Sequence, residues 1–235
     1  MKLVENGSVE QLRAKASQIE SILTREYGER LWDANNYIQD ITGALIATIL
    51  SQNTSDLNSG RAYALLCQAF PQGWDAVRTV SVDEVADAIR PGGLADMKAP
   101  RIQRILQEIY DRTGSTGLEQ LRTWNDAAIE DFLISFPGVG PKTAACVLMF
   151  NLGRPALPVD THVHRVALRL GLIGPKVNAD KAHKLLLDLV TPEQVYSFHV
   201  HLIEHGRRTC HARRPACERC PVQSECDAYQ NGLVS

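Results

Sequence analysis

The sequence predicts an all-α protein, and three observations lead to that class. Apolar residues recur at spacings of three and four along most of the chain, which is the period of a helix with one buried face. Alternating apolar and polar stretches of strand length are nearly absent. Breaks rich in glycine and proline, at 91–93, 113–117 and 173–175, divide the periodic stretches and are typical of turns.

Several predicted helices have recognisable beginnings. Ser81-Val-Asp-Glu84 forms a capping box, Asn178 can cap the helix that follows it, and Thr191-Pro192 places proline at a first helical position. The predicted helices, in chain order, are 10–27, 42–51, 57–70, 82–90, 98–112, 117–123, 126–135, 142–152, 161–171, 179–190 and 192–205.

Length and composition bound the class of protein. A chain of 235 residues with 44% hydrophobic residues can bury an ordinary core in one large or two small domains. It has no apolar run long enough to span a bilayer, and its first residues lack a secretory pattern. We therefore expect a soluble, cytoplasmic protein that is not bound to a membrane.

The charge distribution limits the ways in which this protein could bind nucleic acid. A net charge of −2 argues against nonspecific coating of nucleic acid, because counterion release rewards a positive surplus. The stretch HGRRTCHARR at 205–214 nevertheless holds four arginines, two histidines and no acidic residue. It could meet a phosphate backbone, with Arg213 and Arg214 as candidate contacts, although a solvated basic loop is the alternative.

The stretch 127–152, AAIEDFLISFPGVGPKTAACVLMFNL, predicts a helix, a tight turn and a second helix. Pro137 ends the first helix, and Gly138 and Gly140 permit backbone conformations that a side chain would forbid. The turn at Gly138, Val139 and Gly140 leaves backbone N–H groups at a helix N-terminus, where an anion such as a DNA phosphate can bind.

Lys142 lies in the first turn of that second helix. The helix dipole and any burial there disfavour an ammonium and favour the neutral amine, which attacks electrophilic carbon. Lys142 is therefore a candidate nucleophile. The alternative is a structural helical hairpin with a solvated lysine.

Eighteen residues after Lys142, Asp160 precedes a predicted helix. A helix cap alone would explain Asp160. If the chain returns after the first helix, however, the amine and the carboxylate can face one crevice, a pairing suited to displacement at a sugar carbon. His162 and Arg165, from the same stretch, are candidate DNA contacts.

Four of the six cysteines lie close together near the C-terminus, in the spacing C-x6-C-x2-C-x5-C. Cys210, Cys217, Cys220 and Cys226 predict one metal centre with four thiolate ligands, and disulfides are the alternative. Zinc and an iron-sulfur cluster both suit four thiolates, and the spacing does not separate them. Cys67 and Cys146, in apolar helical segments, are expected to be ordinary buried residues.

Three stretches together resemble endonuclease III of the helix-hairpin-helix DNA glycosylase superfamily: LISFPGVGPKTA, VDTHVHRV and HGRRTCHARRPACERCPVQSEC. The resemblance covers about residues 40–228. It implies a six-helix domain at 33–154, a second domain at 1–32 and 155–235, double-stranded DNA with a damaged base or abasic site in the cleft between them, and a [4Fe-4S] cluster. We expect a monomer.

By this resemblance Lys142 matches a Schiff-base lysine and Asp160 a catalytic aspartate, and Gly138 and Gly140 match a phosphate-binding hairpin. Gln52, in LSQNTSD, would fill the space of an extruded nucleotide. Leu94, in IRPGGLADMKA, would wedge the opposite strand. The alternatives are a polar residue at a helix end and an ordinary turn leucine.

The implied function is excision of oxidised pyrimidines and cleavage of abasic sites by β-elimination in base excision repair. Phe136, Pro141 and Ala145 depart from the family pattern, which bears on the choice of damaged base. The alternatives are a monofunctional glycosylase for mismatched adenine, thymine or uracil, a noncatalytic DNA-binding module and an electron carrier. Lysine at position 142 speaks against the monofunctional alternative.

Overall fold

The computed structural model describes residues 8–234, and in this part of the chain helices and turns are present and strands are absent. The predicted all-α class is confirmed. The chain divides into two compact units. The internal unit is Asp33–Arg154, and the terminal unit consists of the described parts of Met1–Trp32 and Pro155–Ser235.

The internal unit packs its helices around a mostly apolar core that includes Leu50, Leu66, Ile89 and Ile102. Full burial of each such side chain contributes about 1.5–3 kcal/mol. Side chains immediately before the helices accept N–H groups of the first turn, among them Asp40, Ser55, Ser81 and Asn125. The α-helices are α2 Ile41–Ser51, α3 Asp56–Ala69, α4 Trp74–Thr79, α5 Val82–Ile89, α6 Ala95–Thr113, α7 Asp126–Ile134 and α8 Pro141–Cys146.

The terminal unit brings the two ends of the described chain together. Ser8 begins its first helix with a capping box to Gln11, and Asp160 and Asn178 cap two later helices. Its α-helices are α1 Val9–Tyr27, α9 Thr161–Arg169, α10 Ala179–Leu187, α11 Val195–Arg208 and α12 Asp227–Gln230.

The predicted helices differ from the observed ones in several places. The helix α4 was missed, because six residues are too few to show a period. Residues Glu119–Thr123 form a 3-10 helix instead of an α-helix, and Val147–Asn151 continue α8 as a π-helical turn. The helix α6 begins before the predicted residue 98 and contains Pro100 in its interior.

Among residues 8–234, no helix combines the length and the apolar character that crossing a membrane would require.

Candidate functional site

The turn between α7 and α8 is the predicted hairpin. Gly138 has φ +74, in the left-handed region that only glycine adopts freely. Gly140 has φ −107 and is the residue before α8, a conformation open to any residue, so the expectation that both glycines are needed for the backbone is wrong for Gly140. The side chain of Val139 is buried and its N–H donates to the carbonyl of Phe136. Any contact of Val139 with DNA is therefore confined to its backbone.

Lys142 is the second residue of α8, directly after the proline at the first helical position. Its side chain is exposed. Its ammonium group has no hydrogen-bond or ion-pair partner within the described part of that unit. A free amine beside a helix N-terminus is available to an incoming electrophile.

Gln52 ends α2 and lies against the hairpin. Its side-chain N–H group is 3.2 Å from the carbonyl oxygen of Gly138 and 3.3 Å from the hydroxyl of Thr143, the residue after Lys142. The structure therefore brings Gln52, the hairpin and the start of α8 together.

Arg101 of α6 completes this cluster, and sequence reasoning did not identify it. Its Nη1 donates to the Oε1 of Gln52 at 3.3 Å. Its guanidinium lies so close to Gly138 that a Cβ added there would be 2.7 Å from the Nε of Arg101. Only contacts between residues far apart in the chain reveal this role, and local patterns carry no signal for it.

Leu94 occupies the turn that precedes α6. It has φ 53 and ψ 35, and its side chain is 47% exposed. A non-glycine residue in this conformation is strained. Strained residues cluster at functional sites, so an exposed leucine in this conformation is a candidate for a functional role. The other non-glycine residues with positive φ among the described residues are Asn53, next to Gln52, and Arg214. All three coincide with, or adjoin, a predicted DNA contact.

In the terminal unit, Asp160 is the N-cap of α9. Its Oδ1 accepts the N–H of Val163 at 2.7 Å, so the capping role considered from the sequence is real. The Oδ2 atom has no hydrogen-bond partner among the described residues of that unit. One carboxylate can therefore hold the helix start and still present a charged oxygen.

The guanidinium of Arg165 forms hydrogen bonds with other groups of the terminal unit. Its Nε donates to the carbonyl of Cys210 at 3.0 Å and its Nη2 to the carbonyl of Gly206 at 2.9 Å, and Nη2 also lies 3.1 Å from His162. These bonds fix the segment around Cys210. The predicted DNA contacts of His162 and Arg165 stay predictions.

Arg169, one helical turn after Arg165, holds the basic segment and was not identified from the sequence. It donates to the carbonyls of His211 and Ala212 and to the sulfur of Cys210, at 2.7, 3.1 and 3.3 Å. The spacing of four between the two arginines was the available signal, because it places them on one face of α9. Arg213 and Arg214 follow these anchored carbonyls and are exposed.

Cys210, Cys217, Cys220 and Cys226 line a single pocket. Burial raises the pKa of Cys220 to about 11 and also raises the pKa of Cys217 and Cys226. A positive centre in the pocket would favour the thiolate forms of these side chains. The Nε2 of His205 lies 3.6 Å from the sulfur of Cys220.

The four thiols that line this pocket are the donor set that an iron-sulfur cluster takes. Zinc also accepts four thiolates, so the donor set fits both of the metal centres that the sequence left open.

Comparisons with known proteins agree with these features. Residues 46–192 match the family described as HhH-GPD superfamily base excision DNA repair protein. Residues 210–226 match the iron-sulfur binding domain of endonuclease III. The predicted [4Fe-4S] cofactor is confirmed, whereas the assignment of individual ligands stays a prediction.

Curated relatives include endonuclease III of Thermotoga maritima, 33% identical over 214 residues, which cover 88% of this chain and 92% of that protein. An Arabidopsis thaliana protein classed as a DNA glycosylase is 38% identical over 169 residues, which cover 72% of this chain and 57% of that protein. The match thus spans little more than half of the plant protein.

Two solved structures share the fold across nearly the whole chain. A non-covalent endonuclease III–DNA complex has a TM-score of 0.77, and a trapped endonuclease III–DNA covalent intermediate has a TM-score of 0.76. Both are 26% identical, and each match covers 97% of this chain and 99% of the other.

Proposed function

The chain belongs to the HhH-GPD superfamily of base excision DNA repair proteins, and from this we propose that it is a bifunctional DNA glycosylase and abasic-site lyase. Its substrates are double-stranded DNA containing an oxidised pyrimidine or an abasic site. The observation that carries the proposal is Lys142, an exposed amine without a partner in its unit, placed directly after the glycine hairpin.

The hairpin holds the DNA backbone. The N–H groups at the start of α8 lie beside Gly140, where no atom of the described internal unit lies within 4 Å of an added Cβ. Backbone N–H groups at a helix start attract a phosphate without a basic side chain. This accounts for DNA binding by a chain whose net charge is −2.

Extrusion of the damaged nucleotide precedes chemistry, because the reacting sugar carbon is inaccessible in a stacked duplex. Gln52 fills the space left by the nucleotide, and Leu94 wedges the opposite strand. The exposed side chain of Leu94 on its strained turn supports this role.

The neutral amine of Lys142 then attacks C1′ of the sugar. The new N–C1′ bond forms as the C1′–base bond breaks, and the base leaves with the electron pair. Asp160 stabilises the positive charge that develops on the sugar. The nitrogen of Lys142 then passes a proton to O4′ as the C1′–O4′ ring bond breaks, which leaves a protonated Schiff base between the lysine and C1′. Its positive nitrogen acidifies a C2′ proton, and loss of that proton to a base expels the 3′ phosphate by β-elimination.

Cys210, Cys217, Cys220 and Cys226 would hold the iron-sulfur cluster, which would stabilise the loop that carries Arg213 and Arg214. Arg165 and Arg169 anchor the same loop to α9, the helix that Asp160 caps.

Borohydride trapping tests the proposal. The native chain, incubated with abasic duplex and borohydride, should form a protein–DNA adduct that resists denaturation. Lys142→Gln should form none, and Lys176→Gln, which removes an exposed lysine from the terminal unit, should react like the native chain. Adduct formation by Lys142→Gln would exclude Lys142 as the reacting amine.

The absence of any adduct from a native chain that still releases bases would instead favour a monofunctional glycosylase. A panel of single lesions and mismatches in otherwise identical duplexes tests the preference for oxidised pyrimidines. Release of a mismatched adenine, thymine or uracil in preference to oxidised pyrimidines would contradict the proposed substrate.

A further inference from the structure

Lys98 is a buried cation of the internal unit that the proposed chemistry does not use. Lys98 is 2% exposed, and its ammonium donates to the carbonyls of Leu50 and Gly92, at 2.8 and 3.1 Å. Burial, aided by the nearby Arg101, lowers the pKa of Lys98. No carboxylate of the described residues forms an ion pair with it. A buried ammonium is costly, so its two bonds must replace the water that it lost.

The two carbonyls that Lys98 joins belong to different elements. Leu50 lies in the last turn of α2, two residues before Gln52. Gly92 lies in the 3-10 turn before α6, two residues before Leu94. The ammonium of Lys98 therefore links the end of α2, which carries Gln52, to the turn that carries Leu94.

The backbone at both places is strained. Asn53, directly after Gln52, has φ 56, and Leu94 has φ 53. Such conformations persist only where surrounding contacts hold them. The bonds from Lys98 lie within a few residues of both positions and supply contacts of this kind.

We propose that Lys98 is a positioning residue that fixes the spacing between Gln52 and Leu94, so that both side chains enter the duplex together. This inference rests on the proposed function. The space created by one extruded nucleotide is narrow, and groups that must enter it from two elements need a fixed separation. Displacement of such a group by 1 Å can cost about 100-fold in rate.

The test separates insertion from chemistry. The variant Lys98→Met keeps the length of the side chain and removes the charge and the N–H donors. The probe is a duplex with a tetrahydrofuran abasic analogue and a neighbouring 2-aminopurine, whose fluorescence rises when it unstacks. The native chain should raise the fluorescence without cleaving the analogue. Lys98→Met should need about tenfold more protein for the same rise, and its cleavage of abasic duplex should slow by about 10- to 100-fold.

Cleavage of an abasic site in a single strand needs the amine of Lys142 and no insertion. Lys98→Met should therefore retain it within about twofold. The matched control is Arg104→Gln, which removes a charge from the same helix at an exposed ion pair with Glu108. It should behave like the native chain in all three assays.

Two results would overturn the proposal: an unchanged fluorescence rise, or an equal loss on single and double strands, which would mean that Lys98 serves only folding. If Lys98→Met is too unstable to assay, Lys98→Arg, which keeps the charge and N–H donors, is compared with Lys98→Gln in the same way. Lys98→Arg should retain the fluorescence rise better than Lys98→Gln, and the reverse order would contradict the proposal.

A double variant provides a further check. In a Leu94→Ala chain, Lys98→Met should reduce the fluorescence rise little further, because the spacing between Gln52 and Leu94 no longer matters once the side chain of Leu94 is truncated. A full additional loss would contradict the proposal. If the native chain raises the fluorescence but cleaves nothing, the proposed chemistry fails while the role of Lys98 is still measured.

Discussion

The Oδ1 atom of Asp160 accepts the backbone N–H of Val163 at 2.7 Å. The proposed catalytic carboxylate thus also caps α9, the helix whose arginines anchor the cysteine loop. Loss of activity on removal of Asp160 could therefore reflect either role. Two substitutions at this position separate them.

Asp160→Asn keeps a side-chain oxygen that can cap and removes the charge. We expect the thermal midpoint to be nearly unchanged, while base release falls by about 100-fold or more because the cationic transition state loses its partner. Asp160→Ala should lose the same activity and also destabilise the protein by about 1 kcal/mol. Thermal melts and single-turnover base release measure both effects.

The control for this prediction is Asn178→Ala, which removes the cap of α10. It should cost about 1 kcal/mol of stability with base release unchanged. Full activity of Asp160→Asn would show that capping is the only role of Asp160.

Gly138 offers a test of the hairpin, because an alanine there meets two obstacles. Its φ of +74 is unfavourable for a side chain, and its Cβ would lie 2.7 Å from the Nε of Arg101. Gly138→Ala should therefore displace Arg101 from Gln52 and weaken binding to an abasic-analogue duplex by about tenfold, in addition to a stability cost of about 1 kcal/mol.

Gly114→Ala is the matched control for the strain alone. Gly114 ends α6 with φ +77, and no atom of the described internal unit lies within 4 Å of an added Cβ. It should show a similar loss of stability with unchanged DNA affinity. Equal affinities of the two variants would mean that Arg101 and the Gly138 turn do not support DNA binding.

The cysteine pocket predicts that substituting a cysteine inside it removes iron, whereas substituting a cysteine elsewhere does not. Cys220→Ser should lose most of the iron, sulfide and broad visible absorption, because all four cysteines line one pocket. It should also lower the thermal midpoint and weaken DNA binding, since the segment with Arg213 and Arg214 loses its anchor. Cys67→Ser, in the internal unit, should keep the full iron content. Full iron content in Cys220→Ser would contradict the assignment of Cys220 as a ligand.

Local patterns predicted the parts of the fold that depend on local physics. The caps at Ser81 and Asn178 and the hairpin at Gly138 follow from a few neighbouring residues. The bonds from Arg101 to Gln52 and from Lys98 to Leu50 join residues tens of positions apart, for which the sequence carries no spacing rule.

The internal contacts of two predicted site residues were hidden from the sequence for a similar reason. The sequence did not show that the side chain of Val139 is buried. It also did not show that the guanidinium of Arg165 donates to the carbonyls of Cys210 and Gly206. Both depend on what packs against the residue. The proposed pairing of Lys142 with Asp160 joins residues of the two separate units and stays a prediction.

His201 gives the terminal unit a pH-dependent contact. Its Nδ1 lies 3.0 Å from the carboxylate of Glu20 and its Nε2 lies 2.9 Å from the carbonyl of Gly28, so both ring nitrogens face acceptors. Burial disfavours the charged ring, but these two hydrogen bonds outweigh it and raise the pKa of His201. The folded protein thus holds this proton more tightly than the unfolded chain.

The sign of the effect follows from the raised pKa. Stabilisation by His201 is fully present below the unfolded value of about 6.5 and is lost as the pH rises through the folded value. Glu20→Gln removes the charge that holds the proton. The native chain should therefore exceed Glu20→Gln in thermal midpoint most at about pH 6, and the difference should shrink towards about pH 8.5. Glu26→Gln, an exposed change on the same helix, should follow the native chain at every pH. A difference between native and Glu20→Gln that stays constant or grows with pH would show that His201 is not held in its charged form.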